Sequence, residues 1–320
     1  MRAPRIDVHA HFIPEFYREA LLEAGHSQPD GINAIPPWDE ASALALMDEL
    51  NIETAVLSIS SPGVHFGDSA AAATLARRVN EEGARLRQDH PGRFGQFASL
   101  PVPDIDAAVA ELRYALDTLG ADGVVLETNI HGVYLGDPLL EPLYAELNAR
   151  RSTLFIHPTS PCGTDLSLGY PKPLLEFMFD STRAVTNMIL SGVLDRYPDM
   201  AVIMPHAGAA LPVLAARVEL LMPLLASPDR SAPPDIRAAL RRLHFDLAGA
   251  PVPELLGALL QVTGIENIHY GSDFPFTPAH TCLELADRID QTAMLDDDAL
   301  ARVLTTNSRE LLQAPAADRA

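Results

Sequence analysis

Short runs rich in β-branched and apolar residues alternate with helix-forming segments along almost the whole of this 320-residue sequence. Eight runs are predicted to be strands, at residues 6–12, 54–60, 94–101, 123–129, 153–158, 201–208, 243–248 and 267–276. Helical periodicity lies between them, at residues 40–50, 70–88, 105–119, 139–150, 173–197, 211–225, 253–263 and 282–312. Eight such units in roughly 250 or more residues are typical of an α/β protein with a (β/α)8 TIM barrel. A doubly wound sheet is disfavoured because no G-x-G-x-x-G motif follows the first strand.

The predicted barrel is a single domain over residues 1–313, with one long insertion in its first βα connection. This insertion, residues 13–39, is rich in glycine and proline and far exceeds the usual connection of about 2–6 residues. Because long connections often cover a binding site, we expect this loop to lie over the carboxyl ends of the strands. Residues 314–320 are predicted to form a frayed C-terminal tail.

The charge balance and the cysteines exclude several classes of protein. Acidic residues number 43 against 23 basic ones, for a formal net charge of −20 at pH 7, which opposes binding to nucleic acid and to anionic membranes. Cys162 and Cys282 lack Cys-x-x-Cys spacing, so neither a disulfide framework nor a thiolate zinc site is indicated. Because no long apolar segment is evident, we expect a cytoplasmic protein that does not bind membranes.

The first predicted strand carries two histidines, His9 and His11, separated by one residue. Side chains at positions i and i+2 of a strand point to the same face. The two imidazoles are therefore predicted to converge, with Asp7 on the same face. A strand can also expose two histidines without any function, so the pair alone leaves open whether it binds a metal.

Three further polar residues, His157, His206 and Asp273, end other predicted strands. The carboxyl ends of the strands of a barrel meet at one face, where barrel enzymes place their chemistry. A lone histidine at a strand end is often structural, and Asp273 also suits a turn. Together with His9 and His11, however, these residues supply nitrogen and oxygen donors from separate elements, as a divalent ion requires. We therefore predict a metal site at this face.

Four segments at the predicted strand ends carry a family resemblance. They are Val8-His9-Ala10-His11-Phe12, Ile156-His157-Pro158, Pro205-His206-Ala207-Gly208-Ala209 and Gly271-Ser272-Asp273-Phe274-Pro275. These segments resemble the amidohydrolase superfamily, in the branch of aminocarboxymuconate-semialdehyde decarboxylase and the hydroxybenzoate decarboxylases. The resemblance implies that one divalent metal is held by His9, His11, His157 and Asp273. It also implies a catalytic role for His206. Binuclear members use a lysine on the fourth strand, and the fourth strand here has none, which favours a single ion.

Residues 36–38, 58–64 and 179–187 resemble the salicylate-type decarboxylases, especially those of 6-methylsalicylate. This resemblance implies a carboxy-lyase that decarboxylates a small hydroxylated aromatic acid without oxidation. The substrate would chelate the metal while its ring carbon is protonated. Asp273 and His206 are the candidates for delivering the proton, and Asp273 is favoured, with His206 polarising the substrate or assisting the transfer. Imidazole and carboxylate ligands favour zinc, with manganese or cobalt as alternatives. The same resemblance implies a homodimer.

Seven residues are candidates for contact with the substrate. Four are aromatic residues that suit an apolar pocket over a ring, two are arginines that suit an anion, and one is a carboxylate at a strand end. They are Phe12, Trp38, Phe274, Phe276, Arg183, Arg217 and Asp246. Each has a structural alternative, because aromatic residues pack cores, arginines form surface ion pairs and a carboxylate can cap a turn.

Two other classes of function fit the same candidate ligands. A metal-activated hydroxide that attacks an ester, lactone or amide would make the protein a hydrolase, and one that adds to an enol would make it a hydratase. A barrel that binds a metal or a partner without catalysis is the other class, although an open site of three histidines and one aspartate has little structural purpose. Decarboxylation needs no water nucleophile, so incorporation of labelled oxygen distinguishes it from hydrolysis.

Overall fold

Eight parallel strands form a barrel whose strand order follows the sequence. The structure is a computed structural model that describes residues 3–163, 166–225 and 234–313. Its strands are β1 (Arg5–His11), β2 (Ile52–Ser58), β3 (Phe94–Ser99), β4 (Gly123–Glu127), β5 (Asn129–Ile130), β6 (Val133–Tyr134), β7 (Thr153–His157), β8 (Ala201–Met204), β9 (His244–Asp246) and β10 (Ile268–His269). Parallel bridges from Asp7 to Tyr270 and from Ala10 to Phe274 join the two ends of the sheet. The predicted (β/α)8 barrel is confirmed, and a small antiparallel hairpin of β5 and β6 is added to it.

Helices cover the strands in the order that the periodicity predicts. They are α1 (Glu15–Glu23), α2 (Glu40–Leu50), α3 (Ser69–Asp89), α4 (Ile105–Asp117), α5 (Glu141–Ala149), α6 (Glu176–Leu190), α7 (Val193–Arg196), α8 (Leu211–Leu225), α9 (Ile236–Arg242), α10 (Glu254–Leu259), α11 (Ala279–Asp290), α12 (Asp297–Ala301) and α13 (Asn307–Gln313). Five begin after an aspartate whose side chain accepts a backbone N–H of the first turn: Asp39, Asp68, Asp104, Asp235 and Asp296. Such caps satisfy donors that the helix itself leaves unpaired.

Two of the predicted helices are interrupted in the structure where the periodicity indicates a continuous helix. Predicted helix 173–197 is broken at Gly192, whose φ of 77° is left-handed and separates α6 from α7. Predicted helix 282–312 ends at Asp290 and resumes as α12, a short π-helical turn and α13. The spacing of apolar residues shows which face of a segment is buried, and it continues across such breaks. The breaks depend on local backbone conformation, so the spacing does not predict them.

An apolar layer fills the barrel interior below the polar strand ends. One buried cluster takes a single residue from each of six barrel strands: Val8, Val56, Phe97, Val125, Phe155 and Ile203. Leu311 of α13 packs against the same cluster. The imidazole of His9 lies directly on this layer, with its ring centroid 4.9 Å from that of Phe155. The candidate site therefore rests on a packed apolar floor.

A β-bulge in β1 corrects one expectation. The pairing of β1 with β2 steps from Asp7 opposite Ala55 to Ala10 opposite Leu57, three residues against two. Such a bulge reverses the alternation of side chains along the strand. Because Val8 packs in the interior cluster, its neighbour Asp7 points to the opposite, outer face of the strand, and the Asp7 Oδ1 accepts the backbone N–H of His9 at 3.0 Å. The prediction that Asp7 shares the face of the two histidines is therefore wrong.

The long first connection is partly helical and reaches the carboxyl ends of the strands. Residues 13–39 contain α1 and a 3₁₀ turn at Pro29–Gly31. Asp30 in this turn has a left-handed φ of 54°, and its carboxylate accepts a hydrogen bond from Ser160, which follows β7. The connection is thereby attached to the rim of the barrel, as its length suggested. The predicted C-terminal tail, residues 314–320, lies outside the described residues.

Candidate metal centre

Three imidazoles and one carboxylate converge at the carboxyl end of the barrel. His9 and His11 lie at the end of β1, His157 ends β7, and Asp273 follows β10. Each side chain offers one possible ligand atom, and these four atoms lie within 4.8 Å of one another. The histidines are buried and the Asp273 side chain is one-fifth exposed. The sequence predicted this set of residues, and the barrel brings them together.

Each of the three imidazoles uses its Nδ1 atom in a structural hydrogen bond. Nδ1 of His9 donates to Oδ2 of Asp246 at 2.9 Å, and Nδ1 of His11 donates to the carbonyl oxygen of Ser58 at 3.2 Å. Nδ1 of His157 donates to the carbonyl oxygen of Pro158 at 2.7 Å. Such bonds fix the tautomer and leave Nε2 as the ring atom that can bind a metal ion.

The Nε2 atoms meet the chemical requirements of a metal site. Nε2 of His11 lies 3.1 Å from Oδ1 of Asp273, and Nε2 of His9 lies 3.5 Å from the same oxygen. The His9 Nε2 atom is buried and makes no hydrogen bond among the described residues. A buried nitrogen without a partner costs free energy, and a metal ion would use its lone pair. Three nitrogens and one oxygen also form the mixed donor set that borderline divalent ions prefer.

Burial and charge set the protonation of these groups. Burial opposes ionisation of Asp273, yet the charge of His9 and the imidazole hydrogen bonds hold its pKa well below the ordinary value. Burial lowers the pKa of His157 well below its ordinary value, and His11 lowers it further. Burial also disfavours a charged His9, but Asp246 and Asp273 raise its pKa to about 10. Asp273 and His157 are therefore already in the forms that bind metals, whereas His9 must release a proton.

Asp246, at the end of β9, forms hydrogen bonds with two of the candidate residues. Its Oδ2 accepts from His9, and its Oδ1 accepts the backbone N–H groups of His206 at 3.0 Å and of Ala248 at 2.9 Å. Burial disfavours the charge, but His9 holds the pKa of Asp246 below its ordinary value. The sequence left open a substrate contact or a capping carboxylate at Asp246. The bonds to backbone N–H groups fit the capping carboxylate, and the bond to His9 also orients that ring.

His206 stands beside Asp273 at the edge of the cluster. Its Nε2 lies 3.8 Å from Oδ2 of Asp273, and its buried Nδ1 has no partner among the described residues. Both residues have a left-handed backbone, with φ of 56° at His206 and 59° at Asp273. Such conformations cost about 1–3 kcal/mol for a non-glycine residue and concentrate at functional sites.

A cavity of about 820 Å³ opens beside these groups. His157, His206 and Asp273 form its polar end. The rest of the lining is mainly apolar and comes from the first connection, from residues 174–178 at the start of α6 and from the segments after β9 and β10: Ile32, Ala34, Pro36, Leu174, Phe177, Met178, Leu255 and Phe276. A predominantly apolar wall with a few convergent polar groups is typical of small-molecule sites.

Among the predicted aromatic contacts with the substrate, the structure distinguishes the one that lines this cavity from the three that do not. Phe276 lines the cavity, with its ring centroid 5.5 Å from that of His11. Phe12 is buried and packs edge-on against Trp38, and Phe274 packs against the main core. These three aromatic residues do not line the cavity in the described part of the chain. The alternative interpretation, that these aromatic residues pack the core, therefore fits them better than contact with the substrate.

The two predicted anion contacts also lie away from this cavity. Arg183 is exposed and donates to Oδ1 of Asp180 at 2.7 Å, and Arg217 is exposed on α8. Neither arginine is among the described residues that line the cavity. In a single chain, both are therefore better described as surface residues than as substrate contacts. Sequence reasoning missed Phe177, Met178 and Leu255. Their apolar spacing is that of any amphipathic helix and gives no signal of a cavity.

Comparison with known proteins agrees with this geometry. The amidohydrolase family profile matches residues 6–314. Decarboxylase yanB of Aspergillus niger is 39% identical over 87% of this chain and 78% of its own length. The 6-methylsalicylic acid decarboxylase acuB of Aspergillus aculeatus is 37% identical over 96% of this chain and 95% of its own length. A crystal structure of an amidohydrolase II superposes with a TM-score of 0.90 at 34% identity, covering 96% of this chain and 99% of that chain. This chain belongs to the amidohydrolase family.

Proposed function

We propose that this protein is a metal-dependent carboxy-lyase that decarboxylates a small hydroxylated aromatic acid of the salicylate type, such as 6-methylsalicylate. The observation that carries the proposal is the cluster of three imidazoles and one carboxylate at the polar end of a mainly apolar cavity. The relatives named decarboxylases, at 37–39% identity over most of the chain, support the same reaction.

In this proposal, His9, His11, His157 and Asp273 hold one divalent ion. Their donor set suits zinc best, and manganese or cobalt are chemically compatible. When bound, the ion would act as a Lewis acid that stabilises negative charge on the carboxylate and ortho-hydroxyl oxygens of the substrate. No arginine or lysine lines the cavity among the described residues, so within one chain the substrate carboxylate depends on this cluster and on His206.

Asp273 and His206 are proposed to deliver the proton. The ring carbon that bears the carboxylate gains a C–H bond, the bond to the carboxylate then breaks, and its electrons restore the aromatic ring as carbon dioxide leaves. Because its neighbours hold the pKa of Asp273 well below the ordinary value, this carboxylate would pass a proton on rather than store one. His206, 3.8 Å away, would polarise the substrate and assist the transfer.

The apolar wall supports an aromatic ring with an alkyl substituent. Phe177, Met178 and Phe276 present aromatic and thioether groups to the cavity, and such groups pack well against a ring. Ile32 and Pro36 of the first connection line the same cavity. The proposed substrate would therefore place its carboxylate and hydroxyl toward the metal cluster and its methyl group toward this wall.

Incubation of the metal-loaded protein with 6-methylsalicylate in deuterium oxide tests the reaction. We expect carbon dioxide release and one deuterium at the vacated ring carbon, because the proton comes from solvent through the protein. In oxygen-18 water the phenolic product should carry no label. Hydroxybenzoates with the hydroxyl in the 3- or 4-position are matched controls, since they cannot chelate through adjacent oxygens, and they should not react. Labelled oxygen in the product of an ester, with no release of carbon dioxide from any 2-hydroxybenzoate, would instead establish a hydrolase.

We further propose that the protein is a cytoplasmic homodimer. Both cysteines are free, which suits a reducing compartment. Helix α8 exposes Val213, Leu220 and Leu224 on one face that also carries Arg217, and exposed apolar side chains grouped in this way are often covered in an assembly. The segment His206–Leu225 is also long and apolar enough to cross a membrane by length and composition alone, so lipid is the competing occupant.

Light scattering should give twice the 34.5 kDa chain mass, and a variant with Leu220→Glu and Leu224→Glu should be monomeric because charge is costly in an apolar interface. The exposed pair Glu284→Ala and Arg288→Ala on α11 is the control and should remain dimeric. A monomeric wild-type protein that floats with phosphatidylcholine vesicles would assign the α8 face to lipid and contradict the dimer.

A further inference from the structure

Asp180 of α6 is a fully buried carboxylate at which several elements meet. It has no exposed surface and lies outside the metal cluster. Four side chains donate to it: Thr128 Oγ1 at 2.5 Å, Asn129 Nδ2 at 2.9 Å, Tyr134 OH at 2.6 Å and Arg183 Nη1 at 2.7 Å. The carboxylate thereby joins α6 to the end of β4 and to the hairpin of β5 and β6. A buried charge with this number of donors is fully satisfied and holds its partners rigidly.

A chain of hydrogen bonds runs from Asp180 to the metal cluster through Thr128. The hydroxyl of Thr128 donates to Asp180 and also accepts the backbone N–H of Thr159 at 3.2 Å. The backbone N–H of Thr128 donates to the carbonyl oxygen of His157 at 2.8 Å. The N–H of Thr159 and the carbonyl of Pro158 belong to the same peptide group, and that carbonyl accepts from Nδ1 of His157. The bond that orients the His157 ring therefore ends on a peptide group that Thr128 anchors.

Helix α6 provides a second connection. Phe177 and Met178 lie within one turn of Asp180 and line the large cavity. The Phe177 ring is edge-on to the His157 ring, with 6.3 Å between centroids. Displacement of α6 would therefore move both the apolar wall and a ring that contacts a candidate ligand.

We infer that Asp180 is a positioning residue that sets both the orientation of His157 and the placement of the Phe177 wall. It touches neither the substrate nor the metal, and it acts through Thr128 and through α6. This inference rests on the proposed metal-dependent function. It predicts that replacing Asp180 changes the affinity for metal and for substrate, whereas replacing a merely structural carboxylate would change folding stability alone.

The test compares Asp180→Asn with a matched variant, Glu111→Gln. Glu111 is a second buried carboxylate, on α4, that accepts from Asn80 at 2.8 Å and from Arg77 at 2.9 Å, and it does not line the large cavity. Both variants replace a buried carboxylate by an amide of the same shape, and both should unfold at lower urea concentration than the wild type. The comparison thus separates loss of folding stability from loss of site geometry.

Only Asp180→Asn should alter the site. Competition with a chromophoric chelator should show zinc affinity reduced by about 10- to 100-fold, the range for residues that orient metal-bound histidines. At saturating metal, KM for 6-methylsalicylate should rise by about tenfold with a smaller change in kcat, because the wall moves while the proton-delivering residues remain. Glu111→Gln should match the wild type within about twofold in both measurements.

Two further variants keep the inference testable if Asp180→Asn folds poorly. Thr128→Val removes only the hydroxyl relay and should weaken zinc binding, and Thr128→Ser should restore it. Burial and the bond to Asp180 raise the pKa of Tyr134 to about 12, so the ultraviolet titration of this phenol should move to lower pH in Asp180→Asn.

Each failure has its own signature. Unchanged zinc affinity and KM in Asp180→Asn and Thr128→Val, with wild-type zinc binding intact, would overturn the inference alone. A wild-type protein that binds no metal would remove the proposed function, and the inference with it.

Discussion

Replacing His9 and His11 together by alanine is expected to abolish metal binding and to lower kcat for decarboxylation by about 10³-fold or more. The double variant leaves only His157 and Asp273 of the four converging side chains, fewer than the three protein ligands usual for a catalytic divalent ion. The Lewis-acid contribution of such an ion is several kcal/mol, and about 1.4 kcal/mol corresponds to a factor of ten in rate. Elemental analysis of the purified variant, together with measured carbon dioxide release, checks both parts.

The control is a second histidine pair in the same chain. His65 and His131 lie at the barrel rim with 2.8 Å between their ring nitrogens, and they are not members of the metal cluster. His65→Ala with His131→Ala should keep one metal per chain and normal turnover. Dialysis of the wild type against a chelator should reproduce the loss seen in the His9 and His11 variant, and added zinc should reverse it. If that variant retained stoichiometric metal and full turnover, the proposed centre would be wrong.

Asp290→Ala is expected to reduce the free energy of unfolding by about 3–5 kcal/mol, as is usual when one partner of a buried ion pair is removed. Arg5 at the start of β1 has no exposed surface. Its Nη2 donates to both oxygens of Asp290, at 2.5 and 2.6 Å. Without Asp290 the guanidinium would keep, among the described residues, the neutral carbonyl oxygens of Ala3 and Leu50 and the ring of Tyr270. Urea unfolding followed by circular dichroism measures the change.

An exposed ion pair on the same helix provides the comparison. Glu284 and Arg288 of α11 are more than half exposed and bond at 2.5 Å. Because water and salt screen such pairs, Glu284→Ala should change the free energy of unfolding by less than about 1 kcal/mol. Equal losses in the two variants would show that Arg5 finds another counterion when Asp290 is absent.

The barrel was predictable because its signals are local. Each run of β-branched residues and each helical period can be recognised within about a dozen residues. Their alternation along the chain is compatible with few fold topologies. The metal cluster was predictable for the same reason, since a parallel barrel collects the ends of its strands at one face. His157 and Asp273 needed no knowledge of distances, only of which strands they end.

Features that depend on tertiary packing were not predictable from the sequence. The bulge in β1 moved Asp7 to the outer face of the barrel, and no period-two pattern reveals an inserted residue. Phe177 and Leu255 face the cavity only because α6 and α10 are placed as they are. Arg183 was a candidate anion contact because its side chain is a cation, but a buried carboxylate three residues earlier already engages it.

The cavity draws its two ends from different parts of the chain. The ligand atoms come from the barrel strands and their immediate ends, whereas most of the apolar wall comes from residues 29–36, from residues 173–178 at the start of α6 and from residues 248–255 and 275–278. Proteins that evolve from this one can change wall residues, and so accept substrates with other ring substituents, without altering the atoms that perform the reaction. Duplicated copies of one gene can therefore diverge toward many aromatic acids while each keeps the same chemistry.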